Sequence, residues 1–132
     1  MDSSYYREQI IDLYENPLNY GELATADFSY EEDNPLCGDV VRIDVKLDEN
    51  GRVAQVAWSG EGCAISQAAA SLLTEEIKGK TLAEIKEFPK EKVLDLIGIP
   101  LSMARVKCAL LSLKVLKAGA YGIPDPSEMR HE

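Results

Sequence analysis

Residues 40–48 limit the fold more than any other part of this chain. Val41, Ile43, Val45 and Leu47 alternate with Arg42, Asp44, Lys46 and Asp48. Side chains leave a strand on opposite faces with a period of two, so this pattern gives one apolar and one polar face. Asp48-Glu49-Asn50-Gly51 follows, and Asn-Gly tolerates the positive φ that a hairpin turn requires. Residues 53–59 then return, with Ala54, Val56 and Trp58 expected on one face. A short strand over residues 27–32, with Phe28 and Tyr30 on one side, precedes the hairpin. The three form an antiparallel meander that needs a covering layer.

The rest of the chain reads as that layer. Residues 4–15 carry Tyr6, Ile10, Leu13 and Tyr14 near one helical face, and Asn16-Pro17 ends the run. Residues 64–78 are rich in Ala, Leu and Ile, with Gly79 as the expected C-cap. Thr81 and Glu84 have capping-box spacing and open a short helix through Glu87. Residues 90–97 form another, broken by Gly98-Ile99-Pro100. Residues 102–118 are the last long helix, with Ala104, Cys108, Leu111, Val115 and Ala118 along one face. The expected class is α+β: a three-stranded antiparallel sheet packed with four to five helices, in one domain over residues 1–121. Residues 122–132 are polar and proline-bearing, and are expected to be a loosely ordered tail.

Charge and cysteine usage narrow the function. The net charge is −9, which argues against nucleic-acid binding, since that rests on Lys and Arg neutralising phosphates. No apolar run reaches the roughly 18 residues needed to span a bilayer, so no membrane association is expected. The N-terminal residues lack a secretory signal pattern. With three cysteines, an odd count, the expectation is a cytoplasmic protein whose thiols bind metal or do chemistry.

Each cysteine sits where the backbone turns or a helix begins: Cys37-Gly38-Asp39, Cys63 within Gly60-Glu61-Gly62-Cys63-Ala64-Ile65-Ser66, and Cys108 within Arg105-Val106-Lys107-Cys108-Ala109. Such positions are expected to leave sulfur reachable. At Cys63 the helix N-terminus favours a thiolate. Simpler readings stand beside these. Asp39 can bond local backbone in a turn, Cys63 can act as a small hydrophobe, and Cys108, on an apolar face, is by burial statistics a core residue. Cys63 follows Cys37 by 26 residues and Cys108 follows Cys63 by 45. No Cys-x-x-Cys pair exists, which excludes a zinc ribbon or thioredoxin-type site. Any shared site must therefore be assembled by the tertiary fold, and an exposed rim site is expected. His131 lies in the tail and is expected to be a surface residue, so no Ser-His-Asp or Cys-His system can be built.

Five segments in order resemble the U-type iron–sulfur cluster assembly proteins, the group of IscU, SufU and the N-terminal part of NifU. They begin at Glu15-Asn16-Pro17, Asn34-Pro35-Leu36-Cys37-Gly38-Asp39, Gly60-Glu61-Gly62-Cys63, Ile77-Lys78-Gly79-Lys80 and Arg105-Val106-Lys107-Cys108. The resemblance implies that Cys37, Asp39, Cys63 and Cys108 are the ligand set for a transient iron–sulfur cluster, of 2Fe-2S type, with zinc in the cluster-free form. It also implies sulfur delivery by a pyridoxal-phosphate-dependent cysteine desulfurase and transfer of the cluster to acceptor proteins. Any of the three cysteines is a candidate sulfur acceptor.

Two departures from the scaffold branch matter. Lys107 stands where that branch has His before the third cysteine, and Leu101-Ser102-Met103-Ala104-Arg105 replaces its chaperone-binding stretch. Both resemble SufU, whose members are zinc-bound sulfur acceptors. Those members usually have an insertion between the second and third cysteines, for which a spacing of 45 is short. The expected function is a cluster assembly scaffold. The alternative is a zinc-dependent sulfurtransferase that activates a desulfurase, and whether the chain is itself catalytic stays open. A purely structural zinc domain fits poorly with a mixed thiolate–carboxylate set.

Overall fold

Residues 3–34 and 38–122 are described in the computed structural model. Its elements are α1 (Ser3–Glu15), β1 (Phe28–Asn34), β2 (Asp39–Leu47), β3 (Val53–Glu61), α2 (Ala64–Glu76), α3 (Leu82–Lys86), α4 (Lys90–Ile97) and α5 (Met103–Tyr121). The strands lie in the order β1-β2-β3, antiparallel throughout. The α+β class, the meander and the five helices agree with the sequence reading.

The alternation in β2 does what its period predicts on the apolar side, where Val41, Ile43 and Val45 are buried. β3 departs from simple alternation. The pairing shifts between Lys46 and Leu47, so that Leu47 faces Val53 while Lys46 faces Gln55. Ala54 is the extra residue of this bulge and is exposed, whereas Val53 is buried. The expectation that Ala54 shares the face of Val56 and Trp58 is thus corrected, because one inserted residue reverses the side-chain order beyond it. Tyr30 is also largely exposed although Phe28 is buried.

The polar face of the sheet is not simply solvated. Residues 18–27 run from the outer edge of β3 across to β2. The Trp58 N–H donates to the Asn19 carbonyl and the Gly21 N–H to the Trp58 carbonyl. The Trp58 indole N–H donates to the Leu18 carbonyl at 2.8 Å. These bonds satisfy an edge strand that would otherwise be open for pairing. The same segment covers Asp44, which the alternation places on the polar face and which is buried.

α5 is the centre of the molecule. It packs against α2, α3, α4, β1 and β2. Cys108, Ala109, Leu111, Leu113, Val115, Leu116 and Ala120 are all buried, so beyond its first turn α5 is a core helix rather than an amphipathic one. Ala104, expected on the apolar stripe, is exposed. Gly119 lets the Phe28 ring approach, since a Cβ there would lie 2.6 Å from the ring. Tyr14 on α1 is exposed, while Ile10 and Leu13 make the contact with the core. α2 stops at Glu76 with Ile77 as its C-cap. Gly79 is not that cap, because its N–H is taken by the Val53 carbonyl in the turn back to α3. The Thr81–Glu84 capping box and the bounds of α4 are as expected.

Candidate metal centre

Asp39 is the first residue of β2, and β3 ends beside it at Glu61. The chain then passes through Gly62 to Cys63, the N-cap of α2. The Cys63 N–H donates to Asp39 Oδ1 at 3.0 Å. A carboxylate at a helix N-terminus satisfies a donor that has no intrahelical partner and opposes the helix dipole favourably. Gly62 makes the approach possible. A Cβ there would collide with Ser66 Oγ and lie 2.5 Å from Asp39 Oδ1. The loop is fixed further by Gln67 Nε2, which donates to the Gly62 carbonyl at 2.9 Å, and by Ser66 Oγ, which donates to the Cys63 carbonyl at 3.0 Å.

The third group arrives from α5. Cys108 lies in its second turn, and the packing of α5 on α2 and β2 carries it to the sheet end. One ligand atom each of Asp39, Cys63 and Cys108 lies within 4.8 Å of the others. Cys37 lies outside the described residues, as does His131.

Burial grades the site. Asp39 and Cys108 have no exposed surface, whereas Cys63 is half-buried. The expected open rim with reachable sulfurs is corrected for Cys108, which the core helix seals in. Lys107 is exposed.

The donor set fits a cation. Asp39 Oδ2 is buried and has no hydrogen-bond partner among the described residues. Leaving such an atom unsatisfied costs about 1–3 kcal/mol, and more when it is charged. Two cysteine sulfurs stand near this carboxylate, and all three groups would repel one another when ionised. A divalent ion removes both costs. Around tetrahedral zinc, with Zn–S about 2.3 Å, sulfurs sit roughly 3.8 Å apart. The 4.8 Å limit on the separations of the three groups is about an ångström wider than that spacing.

Sequence reasoning singled out Asp39, Cys63 and Cys108, and the fold brings these three together. It missed Ser66 and Gln67. Ser66 had a local signal, standing three residues after an N-cap. Arg7 of α1, which lines a cavity next to Cys63, had none, because that contact joins residues far apart in the chain.

Comparison with known proteins now decides the family. The NifU-like N-terminal domain model matches residues 5–125. This chain belongs to that family. Within it, the chain is 34% identical over 116 residues to the iron–sulfur cluster assembly scaffold protein IscU of Haemophilus influenzae, covering 86% of this chain and 90% of that one. It is 37% identical over 131 positions to the zinc-dependent sulfurtransferase SufU of Bacillus subtilis, covering 86% and 88%. Among solved structures, a protein from Fervidobacterium islandicum AW-1, described as a cluster assembly scaffold for the SUF system, superposes with a TM-score of 0.75 at 27% identity. It covers 91% of this chain and 99% of that one. The same 86% of the chain spans about 15 more aligned positions against SufU than against IscU. Over the aligned region this chain is therefore shorter than that SufU by about that many residues.

Proposed function

We propose that this protein is an iron–sulfur cluster assembly scaffold. Cys37, Asp39, Cys63 and Cys108 hold iron and the nascent cluster, of 2Fe-2S type, as cargo. Zinc occupies the same ligands when no cluster is present. Sulfur comes from a pyridoxal-phosphate-dependent cysteine desulfurase, and the finished cluster passes to acceptor proteins in the cytoplasm. Residues 1–121 act as the functional unit. The observation that carries this reading is the meeting of Asp39, Cys63 and Cys108 within 4.8 Å, with one carboxylate oxygen buried and unsatisfied among the described residues.

The chemistry of the ligand set favours a site that gives its cargo away. Thiolates are soft donors suited to iron–sulfur clusters and zinc, and the carboxylate is a harder and poorer match. Asp39 is also tied to the Cys63 N–H, so that one of its oxygens is fixed to the protein while the other is available to the ion. A mixed set of this kind holds a cluster less firmly than four thiolates.

A zinc-dependent sulfurtransferase is the second reading. The likeness to SufU and the presence of Lys107 favour it; the aligned region being about 15 residues shorter than in that SufU counts against it. Anaerobic reconstitution with iron and sulfide separates the two. A coloured, cluster-bearing protein that transfers its cluster to an apo-acceptor is expected. Retention of zinc alone, with increased desulfurase turnover, would establish the second reading instead.

A further inference from the structure

Cys63 is the N-cap of α2, yet its side chain takes no N–H from the first turn of that helix. An N-cap oxygen ordinarily accepts such a bond, so this sulfur draws any donor from elsewhere. The group beside it is the hydroxyl of Ser66, one turn on and buried. Cys63 Sγ lies 3.9 Å from Ser66 Oγ, the thiol donating and the hydroxyl accepting. The hydroxyl in turn donates to the Cys63 carbonyl at 3.0 Å. That carbonyl has a second donor, the Gln67 N–H at 3.1 Å. The Ser66 proton is therefore not required there, and a hydroxyl hydrogen rotates to suit its acceptors. Ser66 Oγ also stands close to the Asp39 side of the loop, since a Cβ on Gly62 would meet both Ser66 Oγ and Asp39 Oδ1. A buried rotor thus sits against Cys63, the half-buried member of the centre.

Resting on the metal-binding part of the scaffold reading above, we propose that Ser66 is a positioning residue of the centre. Its hydroxyl donates to the Cys63 sulfur once that sulfur holds a metal ion. A thiolate that binds metal carries no proton, so in the loaded site the 3.9 Å contact survives only with the hydroxyl as donor. A hydrogen bond to an ionised acceptor is roughly twice as strong as one to a neutral carbonyl, which turns the proton toward sulfur. The Cys63 carbonyl keeps the Gln67 N–H and is not left unsatisfied. The new bond draws electron density from sulfur and lowers what it gives to the metal. Hydrogen bonds to ligating sulfur tune a centre in this way. Cys63 is thereby the ligand that yields most readily. Cys108 is sealed in the core, and Asp39 is buried and tied to the Cys63 N–H. A receiving protein that replaces the ligands one at a time begins at Cys63, which alone of these three has exposed surface.

The test loads the full, metal-free chain with cobalt(II), whose sulfur-to-metal charge-transfer absorption reports how much density the thiolates give. Ser66→Ala and Ser66→Val remove the hydroxyl, and Ser66→Thr keeps it in the shape of the valine. The absorption is expected to move to lower energy in the Ala and Val variants and to stay at the wild-type position in the Thr variant. A zinc-bound thiolate without the hydrogen bond is also the better nucleophile. At saturating zinc, alkylation mapped by peptide should therefore run up to about tenfold faster at Cys63 in the Ala and Val variants, with Cys108 unchanged. Thermal melting of the metal-free chains checks folding. Where the Ala variant is destabilised by its lost bond to the Cys63 carbonyl, the Val–Thr pair, alike in shape, decides the question. A Thr variant that follows the Val variant, or an equal rise in alkylation at Cys63 and Cys108, would overturn the proposal. A wild-type cobalt absorption that loss of the hydroxyl leaves in place sinks this inference alone. No sulfur charge-transfer absorption in the wild type sinks the metal-centre reading with it.

Discussion

Two aspartates on β2, five residues apart, show how one strand serves two ends. Asp44 is buried and answered on both oxygens: Arg42 Nε donates to Oδ1 at 3.1 Å and the Leu23 N–H to Oδ2 at 3.1 Å. Asp39 is equally buried, but only its Oδ1 has a donor, the Cys63 N–H. Its Oδ2 has none among the described residues, and the same carboxylate stands beside two sulfurs. A carboxylate that only holds structure closes its hydrogen bonds, because an unmade buried bond is costly. One left open at a convergence of thiols marks a place for a cation. The difference lies in the partners, since both residues belong to the same strand.

The largest effect expected on the Asp39 side comes from removing a ligand. Cys108→Ser should weaken zinc binding by more than the roughly 10–100-fold typical of losing an outer-shell partner, as read by competition with a chromophoric chelator. In the wild type, free zinc at 100 times its Kd should stabilise the fold by about 2.7 kcal/mol. Asp44→Asn should keep that increment, because Asp44 lies outside the centre. Loss of the increment in Asp44→Asn would merge the two regions into one and break the contrast.

The aspartates should then differ in stability without metal. Asp44→Asn is expected to cost about 1–3 kcal/mol, since its amide cannot answer both the guanidinium and the Leu23 N–H. Asp39→Asn should cost nothing or stabilise the metal-free chain, since it keeps an acceptor for the Cys63 N–H and removes an uncompensated charge. Equal losses in urea melts of the two variants would show that Asp39 is structural as well.

A smaller, kinetic effect sharpens the role of Asp39. Asp39→Ala is expected to slow cluster release to an apo-acceptor several-fold, because the harder, weaker ligand is gone. Unchanged transfer kinetics would count against Asp39 as a ligand.

The smallest expected effect lies at the surface. Glu75 is held below the ordinary glutamate range by its hydrogen bond from Lys78, then by that from Asn19. A depressed carboxylate stabilises the fold above its unfolded pKa and loses that contribution as pH falls through the folded value. The pair is exposed, so Glu75→Gln should cost only a few tenths of a kcal/mol at neutral pH. The difference from wild type should disappear in acid melts. A persistent difference at low pH would show that the Asn19 contact matters independently of charge.

The features legible in the sequence were those fixed over a few residues. The Thr81–Glu84 box, the Gly98 stop after α4 and the alternation of Val41, Ile43 and Val45 all follow from local geometry. The cysteine loops stood out for the same reason: Gly62 before Cys63 and the helix start after it are local signals. What was missed depends on distant chain. Ala54 is exposed because of a bulge set by the pairing with β2. Tyr14 is exposed because α1 meets the core through Ile10 and Leu13. Asp44 is buried because residues 18–27 cross over it, and nothing near Asp44 in sequence announces that cover.

The sequence by itself determined the meander, the positions of the helices and the residue types able to bind a soft ion, because backbone periodicity and side-chain chemistry act over a few residues. Only the tertiary structure decided that Asp39, Cys63 and Cys108 meet, and that the first two are linked by a hydrogen bond. It also decided that Cys108 is sealed while Cys63 faces a cavity flanked by Arg7 and Arg105. The physical reason is that α5 finds its place by burying apolar surface on α2 and the sheet. Where that packing carries a thiol depends on the whole core.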